Sequence, residues 1–142
     1  MNIGNLINLR HLNIEGSIQL KEMPPRVGDL INLQTLSNFI VGQPKRSGIK
    51  ELKNLLHLRG ELFISSLHNI VNTRDAKEVN LKGRHNIEQL TMEWSNNFGD
   101  SRNESNELEV FKFLQPPDSL KKLAIACYGG LEFPDWLRVH SF

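Results

Sequence analysis

Over residues 6–23 apolar side chains recur in steps of three, three and two: Leu6, Leu9, Leu12 and Ile14, with Leu20 and Met23 behind them. The step from Leu12 to Ile14 has the period of a strand and puts both side chains on one face. The wider steps ahead of it suit a curved turn that feeds the strand. The phrase then begins again. Gly28-Asp29-Leu30-Ile31-Asn32-Leu33-Gln34-Thr35-Leu36 answers Gly4-Asn5-Leu6-Ile7-Asn8-Leu9-Arg10-His11-Leu12 at an offset of 24 residues. Self-similarity at a fixed period decides architecture before any single element does.

Taken in order, the pattern predicts five strands. The first lies over residues 11–15, with Leu20, Met23 and the Pro24-Pro25 pair on an irregular return side, where proline breaks no ladder. The second follows Leu30, Leu33 and Leu36. Its next inward slot is the polar Asn38, so a bulge or one-residue slip is expected to bring in Phe39 and Val41 instead. Residues 42–48 form a loop by composition. The third set runs Ile49, Leu52, Leu55 and Leu58 at turn or helical spacing, then Gly60, then a strand with Leu62 and Ile64 inward. Leu67 and Ile70 follow, and residues 73–82 predict a short helix with Ala76, Val79 and Leu81 inward. Ile87, Leu90, Met92 and Trp94 alternate as a fourth strand. A polar, acidic insertion over 96–107 leads to an apolar helix over 108–114, ended by Pro116-Pro117. Leu120, Leu123, Ile125 and Cys127 mark the fifth strand, and Tyr128-Gly129-Gly130 a turn. Phe133-Pro134-Asp135-Trp136-Leu137 then matches the return side of the first set.

The leading inward positions are Leu12, Leu36, Leu62, Leu90 and Leu123, separated by 24, 26, 28 and 33 residues. Leucines in the order LxxLxxLxL at such periods are the leucine-rich-repeat signature. The expected fold is therefore α/β. It is a curved solenoid with parallel strands on the concave face and irregular loops and short helices on the convex face. About five irregular repeats would fill residues 1–142 as one domain, incomplete at both ends, with residues 1–5 as the tail of a repeat. Growth of the period falls on the return side, which leaves the strands in register.

Composition narrows the function. A net charge of +1 supplies no basic field for nucleic acid. The single cysteine, Cys127, excludes an internal disulfide framework and fits a reducing compartment. The first residues carry no cationic region and no apolar run, so no secretory signal is expected. No apolar stretch approaches the ~18 residues of a membrane span. The sequon at Asn103-Glu104-Ser105 then reads as an ordinary polar loop.

Catalytic chemistry is not expected. Residues 42–48 contain a lysine and a serine, but in the wrong order for a phosphate-cradling loop. His11, His57, His68, His85 and His140 form no metal-binding pair, and nothing points to a base for Cys127. The chain is read as a non-enzyme with no cofactor, no metal and no catalytic residue. What remains is a surface. Side chains between the inward positions point out of the concave face: His11, Asn13 and Glu15; Thr35 and Ser37; Glu61, Phe63 and Ser65; Gln89, Thr91 and Glu93; Lys122, Ala124 and Ala126. Asn13, Ser37, Phe63, Thr91 and Ala124 would form one column. The candidate protein-binding residues are His11, Asn13, Glu15, Ser37, Glu61, Phe63, Ser65, Thr91, Glu93 and Lys122, with the apolar Phe63 first among them. Charge is also blocked: residues 41–59 carry a net +4 and residues 93–109 a net −4. Both read as solvated loops, with docking patches as the functional alternative.

Four segments together resemble the leucine-rich region of plant coiled-coil-class nucleotide-binding resistance proteins. They are IGNLINLRHL…LKEMPPRVGDLINLQTLSNFIVG, GIKELKNLLHLRGELFISSLHNI, AKEVNLKGRHNIEQLTMEWS and FLQPPDSLKKLAIACYGGLEFPDWL. The Leu-Arg-Gly-Glu-Leu turn at 58–62 and the Tyr-Gly-Gly…Phe-Pro-Asp-Trp run at 128–136 are the most particular parts. The resemblance implies an intracellular module, cytoplasmic or nuclear, that follows a nucleotide-binding switch. It implies restraint of that switch and a share in recognising pathogen effectors, directly or through a guarded host protein. The implied partners are proteins: an effector, a guarded protein, or the nucleotide-binding domain of the same receptor. These residues contain no switch, so ATP binding is carried to none of them. Ser17, Leu67, Ser95 and Tyr128 stand where an asparagine ladder would sit. The alternatives are a truncated or decoy stand-alone binding protein and an extracellular-type ligand-binding repeat protein. The missing signal and the single cysteine disfavour the latter.

Overall fold

The computed structural model describes residues 6–17, 19–43, 48–97 and 102–139. The tail expected at 1–5, residues 44–47 of the second loop, residues 98–101 of the acidic insertion, and His140 lie outside the described residues.

Alternation of apolar and polar positions produces the strands where it was read. They are β1 (His11–Leu12), β2 (Thr35–Leu36), β3 (Phe39–Ile40), β4 (Gly60–Ser65), β5 (Ile87–Glu93) and β6 (Lys122–Ala126). All pair in parallel and in chain order, β1 with β2, and β3-β4-β5-β6 as a second sheet. Parallel neighbours need a crossover between them. Here the crossovers are short 3-10 turns at Val27–Asp29, Ile49–Asn54, Leu67–Asn69 and Leu81–Gly83, and the helices α1 (Arg74–Glu78) and α2 (Glu104–Phe113). A third helix, α3 (Asp135–Val139), follows β6. This is the α/β arrangement expected of leucine-rich repeats.

The register follows the leading leucines. Leu12 lies opposite Leu36, and Leu62, Leu90 and Leu123 form one row. The slip expected at Asn38 occurs. The strand breaks between β2 and β3, and Phe39 pairs with Ile64, so three residues after Leu36 match two after Leu62. Phe39 and Val41 are buried as a result. A second irregularity separates Gly60, opposite Ile87, from Glu61, opposite Gln89, and leaves Glu88 as an extra residue on β5. Gly60 sits at φ +76°, a conformation that costs glycine little.

The core lies between the strands and the return segments. Leu30, Leu33, Leu52, Leu55, Leu62, Ile64, Leu67 and Met92 are all essentially sealed from water. Each contributes roughly 1.5–3 kcal/mol of apolar burial. The outermost described rows are less covered. Leu12 and Ile14, and Leu123 and Ile125, are half-buried, and Leu6, read as a core position, is exposed.

Local chemistry corrects three element boundaries. The first strand is two residues long rather than five, because Asn13 Oδ1 accepts the Glu15 N–H at 2.9 Å and turns the chain. The helix read over 73–82 stops at Glu78, because Asn80 takes a left-handed φ of 53°. Ala76, Val79 and Leu81 still bury, the last from a 3-10 turn. The helix read over 108–114 begins at Glu104, because Asn103 caps it by accepting the Asn106 N–H at 3.0 Å. The sequon asparagine is thus a helix cap.

Buried carbonyls need donors, and in place of an asparagine ladder several side chains serve the return loops. Asn69 donates to the Val41 carbonyl at 2.9 Å and Asn106 to that of Ile70 at 2.8 Å. Arg84, buried in the core, donates to Leu52 and Leu55 at 2.6 Å each and to Val79 at 3.0 Å. Arg102 donates to Ser95 at 2.5 Å, Asn97 at 3.0 Å and Cys127 at 2.9 Å. Behind β5 and β6, Trp94, Phe111, Tyr128, Phe133 and Trp136 form an aromatic cluster with ring centroids 4.9–6.3 Å apart. The Trp136 indole N–H donates to the Phe111 carbonyl at 3.1 Å.

Candidate protein-binding surface

Parallel pairing sets the outward side chains in rows. Phe63, Thr91 and Ala124 lie directly opposite one another on β4, β5 and β6. One row further, Ser37 donates its N–H to the Leu12 carbonyl at 3.1 Å, and its hydroxyl accepts the Ile14 N–H at 2.8 Å. His11 Nδ1 meets the Thr35 hydroxyl at 2.7 Å across the first pair.

β1, β2 and β4, with Glu88 of β5 and the turns beside them, line a groove of about 830 Å³. Six of the ten candidate residues share it: His11, Asn13, Glu15, Ser37, Glu61 and Phe63. Ser65 lies further along β4, Thr91 and Glu93 further along β5 and Lys122 at the start of β6, and none of them lines it. Phe63 is half-buried, as is Ser37, while His11, Asn13, Glu15 and Glu61 are exposed. The ring of Phe63 also borders a smaller recess with Ile14, Glu15, Ser37 and Asn38.

Arg59, His85, Asn86 and Glu88 also line the groove and were not among the sequence candidates. Three of them stand in the turns before the strands, outside the two-residue alternation. Glu88 is two residues from the inward Leu90 and would face the core in a regular strand. The irregularity opposite Gly60 turns it outward.

A second line of exposed apolar residues runs beside the strands. Ile7, Ile31 and Leu56 stand at equivalent places in successive repeats and are 55%, 53% and 71% exposed. Asn32 ties two of these turns together by donating to the Ile7 carbonyl at 2.9 Å.

The acidic block is not wholly a solvated loop. Glu107 is buried and forms a two-pronged pair with Arg102, with contacts of 2.5 and 2.8 Å. Its Oε1 also accepts the Gly129 N–H at 3.2 Å. The hydrogen bond from Arg102 to Glu107 is the main reason the Arg102 guanidinium is held above its ordinary value. Burial, with Glu107 next, pushes the Tyr128 phenol up. Among the described residues no cluster of histidine, cysteine, aspartate or glutamate is arranged to hold a metal. No helix of the described residues is long and apolar enough to cross a membrane.

Residues 49–142 match the family model described as R13L1/DRL21 LRRs. The putative disease resistance protein RGA4 of Solanum bulbocastanum is 43% identical over 131 residues, 92% of this chain and 13% of that protein. The disease resistance protein RGA2 of the same species is 42% identical, over 80% of this chain and 11% of that protein. A putative disease resistance RPP13-like protein 1 of Arabidopsis thaliana is 41% identical, over 75% of this chain and 11% of that protein. The chain thus spans 8–13% of the length of the relatives it matches. No solved structure matches it.

Proposed function

The chain belongs to the R13L1/DRL21 leucine-rich-repeat family of plant disease resistance proteins, and from that premise we propose that it is a protein-binding module of an intracellular immune receptor. Residues 1–142 make one domain in this reading, about five irregular repeats of a longer solenoid. The half-buried leading positions of the outermost rows support this, since a further repeat on either side would cover them. The module acts by binding and not by catalysis. Its partners are a pathogen effector, a guarded host protein, or the nucleotide-binding domain of the same receptor, which it restrains until recognition. Its place is the cytoplasm, or the nucleus.

The observation that carries the reading is the groove across β1, β2 and β4. It gathers six outward candidates around one half-buried aromatic ring, while the leucines on the opposite side of the same strands hold the core. His11, Asn13, Glu15, Ser37, Glu61 and Phe63 form its centre, with Ser65, Thr91, Glu93 and Lys122 as its extension.

Phe63→Asp tests this. In the full receptor the substitution is expected to change the defence output, as loss of triggered cell death or as unprompted cell death. In the isolated chain it is expected to leave the thermal melt in place. Leu62→Ala, one residue away but inward, is expected to cost roughly 2–5 kcal/mol of stability. An unaltered defence output with Phe63→Asp defeats the proposal. So does a loss of stability matching that of Leu62→Ala.

A further inference from the structure

The groove has a charge as well as a shape. Glu15 and Glu61 are exposed carboxylates on its wall, and neither has an ion-pair partner among the described residues. Glu88 is a third, met among the described residues by an exposed Lys121 at 3.8 Å. Against these stand Arg59, whose Nη2 is already turned to Gln34 Oε1 at 3.1 Å, and the imidazoles of His11 and His85. With Glu88 met by Lys121 and Arg59 turned to Gln34, the carboxylates of Glu15 and Glu61 are left to attract positive charge.

The spacing adds a second requirement. Glu61 and Phe63 are two residues apart on one face of β4, which puts them about 6.5–7 Å apart along the strand. Glu15 comes from the first repeat, two rows away, on the order of 10 Å across the sheet. The half-buried ring of Phe63 therefore shares the groove with Glu61 on its own strand and Glu15 from the first repeat. Resting on the reading of this groove as the contact surface, we propose that it receives a basic, extended protein segment. In that segment an apolar side chain seats on Phe63, and lysine or arginine residues beside it meet Glu61 and Glu15.

The test is selection of a random dodecapeptide phage library on the 142-residue chain, followed by affinity measurement of the enriched synthetic peptides. Enriched peptides are expected to carry lysine or arginine two residues from an aliphatic or aromatic residue. Their affinity is expected to fall as salt rises. It is also expected to fall about tenfold for the doubly substituted chain Glu15→Gln, Glu61→Gln, with its melt unchanged; tenfold corresponds to roughly 1.4 kcal/mol. Enriched peptides that are neutral or acidic and lose binding with Phe63→Asp overturn the basic partner while leaving the groove as the contact surface. Peptides that ignore both Phe63→Asp and the double substitution, or no enrichment at all, overturn both.

Discussion

Two arginines show what a buried cation does when the repeats do not supply their own ladder. Arg102 pairs with Glu107 while its remaining donors serve loop carbonyls. Removing one member of a buried pair leaves the other charge uncompensated and costs about 3–5 kcal/mol. Glu107→Ala is expected to lose that much in urea denaturation, and a loss below about 1 kcal/mol sets this account aside. Replacing both partners by Met and Leu is expected to cost less than the two single changes together, although the carbonyls of Ser95, Asn97 and Cys127 still lose a donor. Arg84 has no carboxylate at its side chain among the described residues, and burial pulls its guanidinium down from the ordinary value. The carbonyls of Leu52, Leu55 and Val79 solvate it instead. His68 reports on the same corner. Partial desolvation, then the Arg102 charge, holds its imidazole below 6.5, with Glu107 pulling the other way. The unfolded chain therefore takes up this proton more readily than the folded one. Stability from this residue is complete above about pH 6.5 and is lost as pH falls below it. The melting temperature is expected to drop more between about pH 7 and pH 5 in the native chain than in His68→Gln. Equal pH profiles for the two proteins contradict it.

At the scale of the element, the strands were legible because Leu12, Leu62, Leu90 and Leu123 are each followed two residues on by a second large apolar residue. Leu62, Leu90 and Leu123 line up as the spacing requires, and the polar Asn38 in an inward slot announced the slip before Phe39. Two features left no such plain mark. Over β5 the step from the inward Ile87 to Leu90 is three residues, but the sequence alone does not say which of Glu88 and Gln89 is the extra one; the pairing of Gly60 with Ile87 and of Glu61 with Gln89 does. The first turn of α2 is polar and acidic, and it reads as an insertion until Asn103 is seen to cap it and Glu107 to pair inward. The groove was half legible for the same reason: its strand residues follow the two-residue period, while Arg59, His85 and Asn86 come from turns that have none. Gly60 isolates the backbone part of this argument. A methyl group added there meets nothing within 4 Å, so Gly60→Ala tests conformation without a clash. It is expected to cost about 1–2 kcal/mol from the positive φ alone. A neutral substitution would mean that the turn relaxes to a negative φ, and the register between β4 and β5 would then shift with it.

Across the whole molecule, the described strands pair only with strands of the neighbouring repeats, so stability is expected to be local and to add up from row to row. The consequences differ between rows. Leu62, Ile64, Leu90 and Met92 are covered by rows on both sides and lie almost wholly out of water. Leu12 and Ile14 have the second row on one side only among the described residues, and β1 and β2 exchange just two paired positions. Opening of β1 therefore exposes little apolar surface that is not already half wet, whereas opening of β4 or β5 breaks a five-position ladder and uncovers the densest part of the core. Free energies of local opening range from near zero at such margins up to the global value in the centre. Amide hydrogen exchange is expected to be slowest at Leu62, Ile64, Leu90 and Met92 and fast at Ile14 and Ser37, whose bonds cross from the first row to the second. Uniform protection from β1 to β6 would mean that the chain melts as one cooperative block and that row-by-row addition does not describe it. Graded protection would place the Glu15 side of the groove on its most mobile wall and Phe63 on its firmest. A partner would then dock first against β4, and its binding would carry the first row into order, read as slowed exchange at Ile14 and Ser37.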